Sequence, residues 1–295
     1  LDPNQIMEIR GLIGGGITTD MTGFTASIYK RGIRFAYLPT TFLAQVDAAI
    51  GGKTGVNFEN YKNILGVIRQ PEFTYVCPEV LGTLTYRDFL SGAAELVKTF
   101  IIDDSGDNYE KAVTILSEIH DATDHTSAIS SHHAELEELI AAAAKVKAGV
   151  VERDEFEMGE RRKLNLGHTF AHAIEWEAHN REQSMGEVNA GVHGISHGES
   201  VAMGMIMAAE ASECYYADDK SQHVAVQGIA KKLTEDFRRC GLPVECPYPI
   251  ITLAEAMKKD KKSENGIVHF ILIRAIGDVR IEDLPVDDVV SWISK

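Results

Sequence analysis

No run of eighteen or more apolar residues occurs in the chain, so no membrane-spanning helix can be read from it. No basic stretch leads into an apolar segment and a small-residue cleavage site, so no signal peptide is legible either. Cysteine is scarce and lacks CxxC spacing. Cys77, Cys214, Cys240 and Cys246 are scattered, which argues against a disulfide framework or a thiolate zinc site and fits reduced, mostly structural thiols in the cytoplasm. Positive charge is in deficit: 29 Lys and Arg against 44 Asp and Glu leave a formal net charge of -15, which opposes binding to nucleic acid or to an anionic membrane surface. An anionic substrate would need a local basic cluster. An initiating Met is lacking as well; the chain begins at Leu1, and its natural beginning, with any leader, is expected to lie before that residue.

What is present suffices for one large domain or two ordinary ones, since 295 residues with 44% hydrophobic side chains can fill a core of that size. Leu12-Ile13 running into Gly14-Gly15-Gly16 reads as a strand ending in a tight turn, followed by a helix from Asp20 to Lys30 and a second strand from Arg34 to Leu38, closed by Pro39. That strand-helix-strand unit is the building block of a parallel sheet. Because its first strand stands almost at the start of the chain, part of a dinucleotide-binding crevice is expected to be missing. Phe42 to Val56 reads as helix-like around a glycine pair, and Phe73 to Cys77 as a short strand.

From about Tyr86 the helical period dominates, over Phe89–Ile102, Tyr109–His120, Ala134–Val151, His168–His179, His197–Cys214 and Val224–Cys240. Val268–Arg274 and Asp278–Ile281 read as a hairpin around Gly277. The expected architecture is thus an incomplete α/β, Rossmann-like dinucleotide-binding domain over residues 1–85 and a mainly α-helical domain over 86–295.

The segment richest in chemistry is Asn165-Leu166-Gly167-His168-Thr169-Phe170-Ala171-His172, with His197-Gly198-Glu199 further on. Two histidines four apart share one helix face, a spacing that suits metal binding, or a division of metal and proton duties, as well as it suits two polar residues on a half-buried face. Glu95 sits in the apolar run Ala93-Ala94-Glu95-Leu96-Val97-Lys98, where a buried carboxylate needs compensation by a metal or a cation. Lys98, one turn on, could supply it as a plain helical ion pair. Two histidines and a carboxylate form a donor set that zinc accepts with positions left open, and that also suits cobalt, iron or manganese. Gly51-Gly52-Lys53-Thr54-Gly55 fits either a phosphate-gripping turn or an ordinary loop.

In this order, these pieces resemble the 3-dehydroquinate synthases over nearly the whole chain. The match runs from Gly14 to Asp20 through Lys30-Arg31-Gly32, Leu38-Pro39-Thr40-Thr41, the Gly51–Asn57 turn, Lys62-Asn63, Ser91–Lys98, Asp154-Glu155, Asn165–His172, His197-Gly198-Glu199 and Asp260-Lys261-Lys262. The resemblance implies zinc on Glu95, His168 and His197, the last preferred over His193 because Gly198-Glu199 complete the motif, with His172 beside the substrate phosphate. It implies that Lys53, Asn63, Lys98, Lys147, Arg161, Asn165 and Lys261 hold the substrate's phosphate, carboxylate and hydroxyls. Arg31 would reach the neighbouring subunit's site, implying a homodimer, and Asp47 would lie near the reactive hydroxyl and the nicotinamide. Gly15, Gly16, Ile17, Asp20, Thr40, Thr41, Lys62, Thr83 and Leu84 would touch NAD.

The implied substrate is a small sugar phosphate, 3-deoxy-D-arabino-heptulosonate 7-phosphate. In the family one of its hydroxyls is oxidised by NAD, phosphate is eliminated, the ketone is reduced again and an intramolecular aldol addition closes the ring. NAD is regenerated, so the net reaction is that of a carbon-oxygen lyase in the shikimate pathway. A sister sugar-phosphate cyclase, a polyol dehydrogenase of related fold and a non-catalytic paralogue are the competing readings.

Overall fold

The computed structural model describes residues 10–58, 61–105, 107–185, 194–217, 226–259 and 267–294. The chain divides into two compact units, residues 1–96 with 122–158, and residues 97–121 with 159–295.

In the first unit, strand β1 (Arg10–Gly14) pairs in parallel with β2 (Phe35–Pro39), and helix α1 (Gly16–Ile28) connects them. This is the strand-helix-strand element expected from the glycine-rich turn. Ala26 of the helix packs with Phe35, Tyr37 and Ala49 in a small core. The helix ends in a sharp turn in which Lys30 and Arg31 take positive φ, 48° and 67°, before Gly32 at 110°.

Two local expectations need correction. Phe42–Val56 is not one helix-like stretch: a π-helical turn at Ala44–Ala48 gives way to Gly51 and Gly52, both with positive φ, and then to strand β3 (Lys53–Phe58), antiparallel to β4 (Tyr61–Ile68). The glycine pair breaks the helix period because only glycine takes those dihedrals without a Cβ penalty. Phe73–Cys77 contributes only a single parallel bridge, Thr74 to Tyr37.

Helix α2 (Tyr86–Ile102) carries Glu95 and Lys98 and runs across the division between the units. Its Gly92 lies so close to Phe42 that a Cβ there would meet the Phe42 side chain at 2.4 Å. In the second unit lies α3 (Asn108–Asp121). In the first, α4 (His125–Ser131) and the long α5 (His133–Arg153) follow; α4 was not anticipated.

The rest of the second unit contains α6 (His168–Met185), α7 (His197–Tyr215), α8 (Ile229–Arg239), α9 (Ile250–Lys259), the antiparallel hairpin β5 (Ile267–Ala275) and β6 (Asp278–Pro285), and α10 (Val286–Ile293). Helix α8 follows Gly228, at φ 86°, and the first residues of the helix expected over Val224–Cys240 lie outside the described residues. Helix α7 is buried without a break from Ser200 to Ala209, with Val201, Ala202, Met205 and Ile206 among the covered residues, while Glu210 and Cys214 are exposed. A stretch covered all round has to be central, and α7 packs against α6, α8, α10 and β5.

Candidate metal centre and anion-binding residues

His168 and His197 each stand at the first position of a helix, α6 and α7. Gly167, at φ 75°, turns the chain directly before His168. Gly204 of α7 lies against it: a Cβ on Gly204 would fall 2.2 Å from the Gly167 carbonyl oxygen. The two glycines therefore let the helix starts approach, and the His168 and His197 rings lie 5.4 Å apart, centre to centre. Gly204→Ala should lower stability by about 1–3 kcal/mol despite alanine's better helix propensity, because the clash is with backbone. A melting temperature equal to that of the parent would show that the helices can separate at no cost.

The start of α7 is fixed by a reciprocal cap. The Ser196 side chain accepts from the Glu199 backbone N–H at 3.3 Å, and the Glu199 carboxylate accepts from the Ser196 N–H at 2.6 Å. Glu199 of the His197-Gly198-Glu199 motif thus sets the backbone that presents His197.

Each imidazole is also tethered through Nδ1. His168 Nδ1 lies 3.1 Å from the Leu166 carbonyl oxygen, and His197 Nδ1 lies 2.7 Å from Oε1 of Glu175. A carbonyl or carboxylate oxygen can only accept, so each Nδ1 carries the hydrogen and each Nε2 can offer a lone pair. Desolvation holds His168 well below the ordinary histidine range, aided by the Lys98 ammonium and by His197 and His172. A helix N-terminus also disfavours imidazolium. His168 is accordingly in the neutral form that a metal requires.

Glu95, His168 and His197 each offer a ligand atom, and these atoms lie within 4.8 Å of one another. Glu95 is fully covered and Lys98 is 1% exposed. One carboxylate and two imidazoles match a divalent ion of the zinc or cobalt type in donor chemistry. His172, one turn after His168, sets its ring edge-on to it at 5.6 Å. Arg161 is buried in the 3-10 segment Glu160–Asn165, and Asn165 at the end of that segment donates to the Arg162 carbonyl at 3.2 Å.

The first unit gathers its expected residues in several places. Gly15, Gly16, Ile17 and Asp20 form the β1–α1 turn and first helical turn; a Cβ on Gly15 would meet Thr41 at 2.9 Å, and Thr40 N–H donates to the Gly14 carbonyl at 2.9 Å. Asn63, at φ 49°, donates to Asp20 at 3.2 Å, and Lys62 precedes it on β4. Lys147 of α5, 7% exposed, donates to the Asp47 carboxylate at 2.6 Å and to its carbonyl at 2.5 Å. Lys53 ion-pairs with Glu157. Thr83 and Leu84 close the 3-10 segment Pro78–Thr83. Lys261 and His193 lie outside the described residues.

Two family models account for most of the chain: one described as 3-dehydroquinate synthase N-terminal matches residues 7–91, and one described as 3-dehydroquinate synthase C-terminal matches residues 92–263. The chain belongs to the 3-dehydroquinate synthase family. The 3-dehydroquinate synthase of Pyrococcus abyssi is 39% identical over 273 residues, covering 92% of this chain and 71% of that one. That of Legionella pneumophila is 38% identical over 278 residues, covering 94% and 68%. Among solved structures, 2-epi-5-epi-valiolone synthase from Streptomyces hygroscopicus subsp. jinggangensis, with NAD+ and Zn2+ bound, superposes with a TM-score of 0.72 at 24% identity, covering 96% of this chain and 72% of that one. A 2-deoxy-scyllo-inosose synthase complexed with carbaglucose-6-phosphate, NAD+ and Co2+ gives 0.72 at 23%, covering 96% and 72%. These two establish the sugar-phosphate-cyclase fold.

In this member of the 3-dehydroquinate synthase family, two acidic residues were not singled out from sequence. Glu175 follows His168 by two helical turns and so shares its face, a spacing legible in principle. Glu157 takes φ 60°, one of five non-glycine residues with positive φ among the described residues, along with Arg31 and Asn63. Such strain gathers at functional sites, but nothing in composition reveals it.

Proposed function

We propose that this chain converts 3-deoxy-D-arabino-heptulosonate 7-phosphate to 3-dehydroquinate and phosphate. What carries the reading is the trio Glu95, His168 and His197, with ligand atoms within 4.8 Å, in a chain 39% identical to a 3-dehydroquinate synthase over 92% of its length. On this reading residues 1–85 are the remainder of a Rossmann-like NAD-binding domain, and residues 86–295 are the metal- and substrate-binding domain. When bound, NAD supplies reversible oxidation of a substrate hydroxyl, and zinc, or cobalt or another divalent ion, supplies Lewis-acid polarisation of the same oxygen.

The chain's own residues orient the reactants. Lys53, Asn63, Lys98, Lys147, Arg161, Asn165 and Lys261 hold the substrate's phosphate, carboxylate and hydroxyls, with His172 beside the phosphate, so that the departing phosphate can itself take the neighbouring proton. Fixed cations spare the reaction the cost of reorganising solvent around the developing charge. On this reading Asp47 lies near the reacting hydroxyl and accepts its proton, and the hydrogen bond from Lys147 supports that role by restraining its carboxylate. Gly15, Gly16, Ile17, Asp20, Thr40, Thr41, Lys62, Thr83 and Leu84 serve NAD, and Arg31 serves the neighbouring site of a homodimer. A net charge of -15 opposes nucleic acid and anionic membranes as partners and supports small molecules, and the scattered cysteines support a cytoplasmic location.

The deciding experiment is phosphate release from the heptulosonate phosphate by full-length protein, with and without NAD, and after chelation and zinc restoration. Release that requires both, with 3-dehydroquinate as product, is expected. No release from protein that holds NAD and zinc would move the assignment to a sister cyclase, and failure to hold either would point to a non-catalytic paralogue.

A further inference from the structure

The carboxylate of Glu175 meets His197 at Nδ1, with Oε1 2.7 Å away, so Nε2 is the nitrogen that His197 can offer to a metal. We propose that Glu175 is a positioning residue for the metal centre, orienting His197 and raising its basicity as a ligand. The inference rests on the ligand assignment above.

Three observations bear on it. Glu175 belongs to the α6 stripe His168, His172, Glu175, spaced four and then three apart, so the helix that supplies one ligand also supplies the second ligand's anchor. His197 has its backbone fixed by the Ser196–Glu199 cap, which leaves ring rotation as the freedom still to be removed. The contact to Glu175 removes it. Finally, the two histidines are held differently: His168 by the neutral Leu166 carbonyl at 3.1 Å, His197 by a carboxylate at 2.7 Å. A carboxylate behind an imidazole makes the opposite nitrogen a stronger donor and fixes the tautomer, and losing such a partner typically weakens metal binding about 10–100-fold. The side chains of His197 and Glu175 are 26% and 21% exposed, so solvent weakens the pair without dissolving it.

The test uses Co2+ as probe, because its absorption bands report ligand geometry directly. Chelator competition on the metal-free protein should show Glu175→Ala binding Co2+ about 10–100-fold more weakly than the parent, with shifted bands, while the far-UV spectrum of the metal-free protein is unchanged. Glu175→Gln keeps the length and an acceptor oxygen but not the charge, and should recover part of that loss; it also decides the matter if the alanine variant does not fold. His197→Ala is the reference. If His197→Ala weakens Co2+ binding and both Glu175 variants match the parent in affinity and bands, the positioning role is overturned and the ligand assignment stands. If His197→Ala itself binds Co2+ as the parent does, the ligand assignment has failed and this inference with it.

Discussion

His168→Ala is expected to emerge from a zinc-replete preparation without stoichiometric metal and with turnover reduced at least about a thousandfold, the equivalent of the several kcal/mol that a Lewis acid contributes. The expectation follows from placement. His168 is one of the trio, its Nδ1 is committed to Leu166, and desolvation keeps it neutral, so Nε2 has no competing proton. Alanine there leaves one imidazole and one carboxylate, too few to hold an ion tightly in competition with water. The comparison that isolates the effect is His172→Ala on the same helix, which should keep the metal and lose turnover. Metal analysis of both purified proteins separates the outcomes: one equivalent of zinc in His168→Ala would sink the ligand assignment, and metal loss in both would indicate a disturbed helix.

The centre was legible before the fold because helical spacing is local. His168 and His172 share a face by periodicity alone, and Glu95 stood out as a carboxylate in an apolar run. That Glu95 and His197, from distant parts of the sequence, belong with His168 came from family resemblance; the structure adds how the approach is made, through Gly167 and Gly204 in backbone contact. Glycines at such a crossing look ordinary in sequence, since their role lies in an absent side chain on a partner 37 positions away. The β3–β4 hairpin was missed for a related reason. Gly55 pairs opposite Gly66, where a Cβ on Gly66 would fall 2.4 Å from the Thr54 carbonyl oxygen, and glycines at paired positions interrupt the side-chain alternation by which a strand is read. Tethers such as Glu175 to His197 couple two helices, and no periodicity within either one reveals them.

Lys147→Ala should cost turnover by about 100- to 10,000-fold while leaving the metal in place. The lysine is 7% exposed on α5 and spends two of its three donors on Asp47, at 2.6 Å to the carboxylate and 2.5 Å to the carbonyl. Asp47 stands in a π-helical turn, where the backbone departs from the regular ladder, so the ammonium restrains both the side chain and the main chain that presents it. Neither residue belongs to the metal trio, which is why metal content is the discriminating control. The pair also predicts non-additivity. If Lys147 acts through Asp47, Asp47→Asn should lower turnover comparably, and adding Lys147→Ala to it should cost far less than Lys147→Ala alone, a coupling of roughly 0.5–3 kcal/mol. Stability should fall by only about 1–3 kcal/mol, since the Asp47 side chain keeps 20% of its surface in water and can be solvated when its partner is gone. Full additivity of the two losses would mean that the lysine works on the substrate independently, and loss of zinc along with turnover would mean that the contact serves the fold.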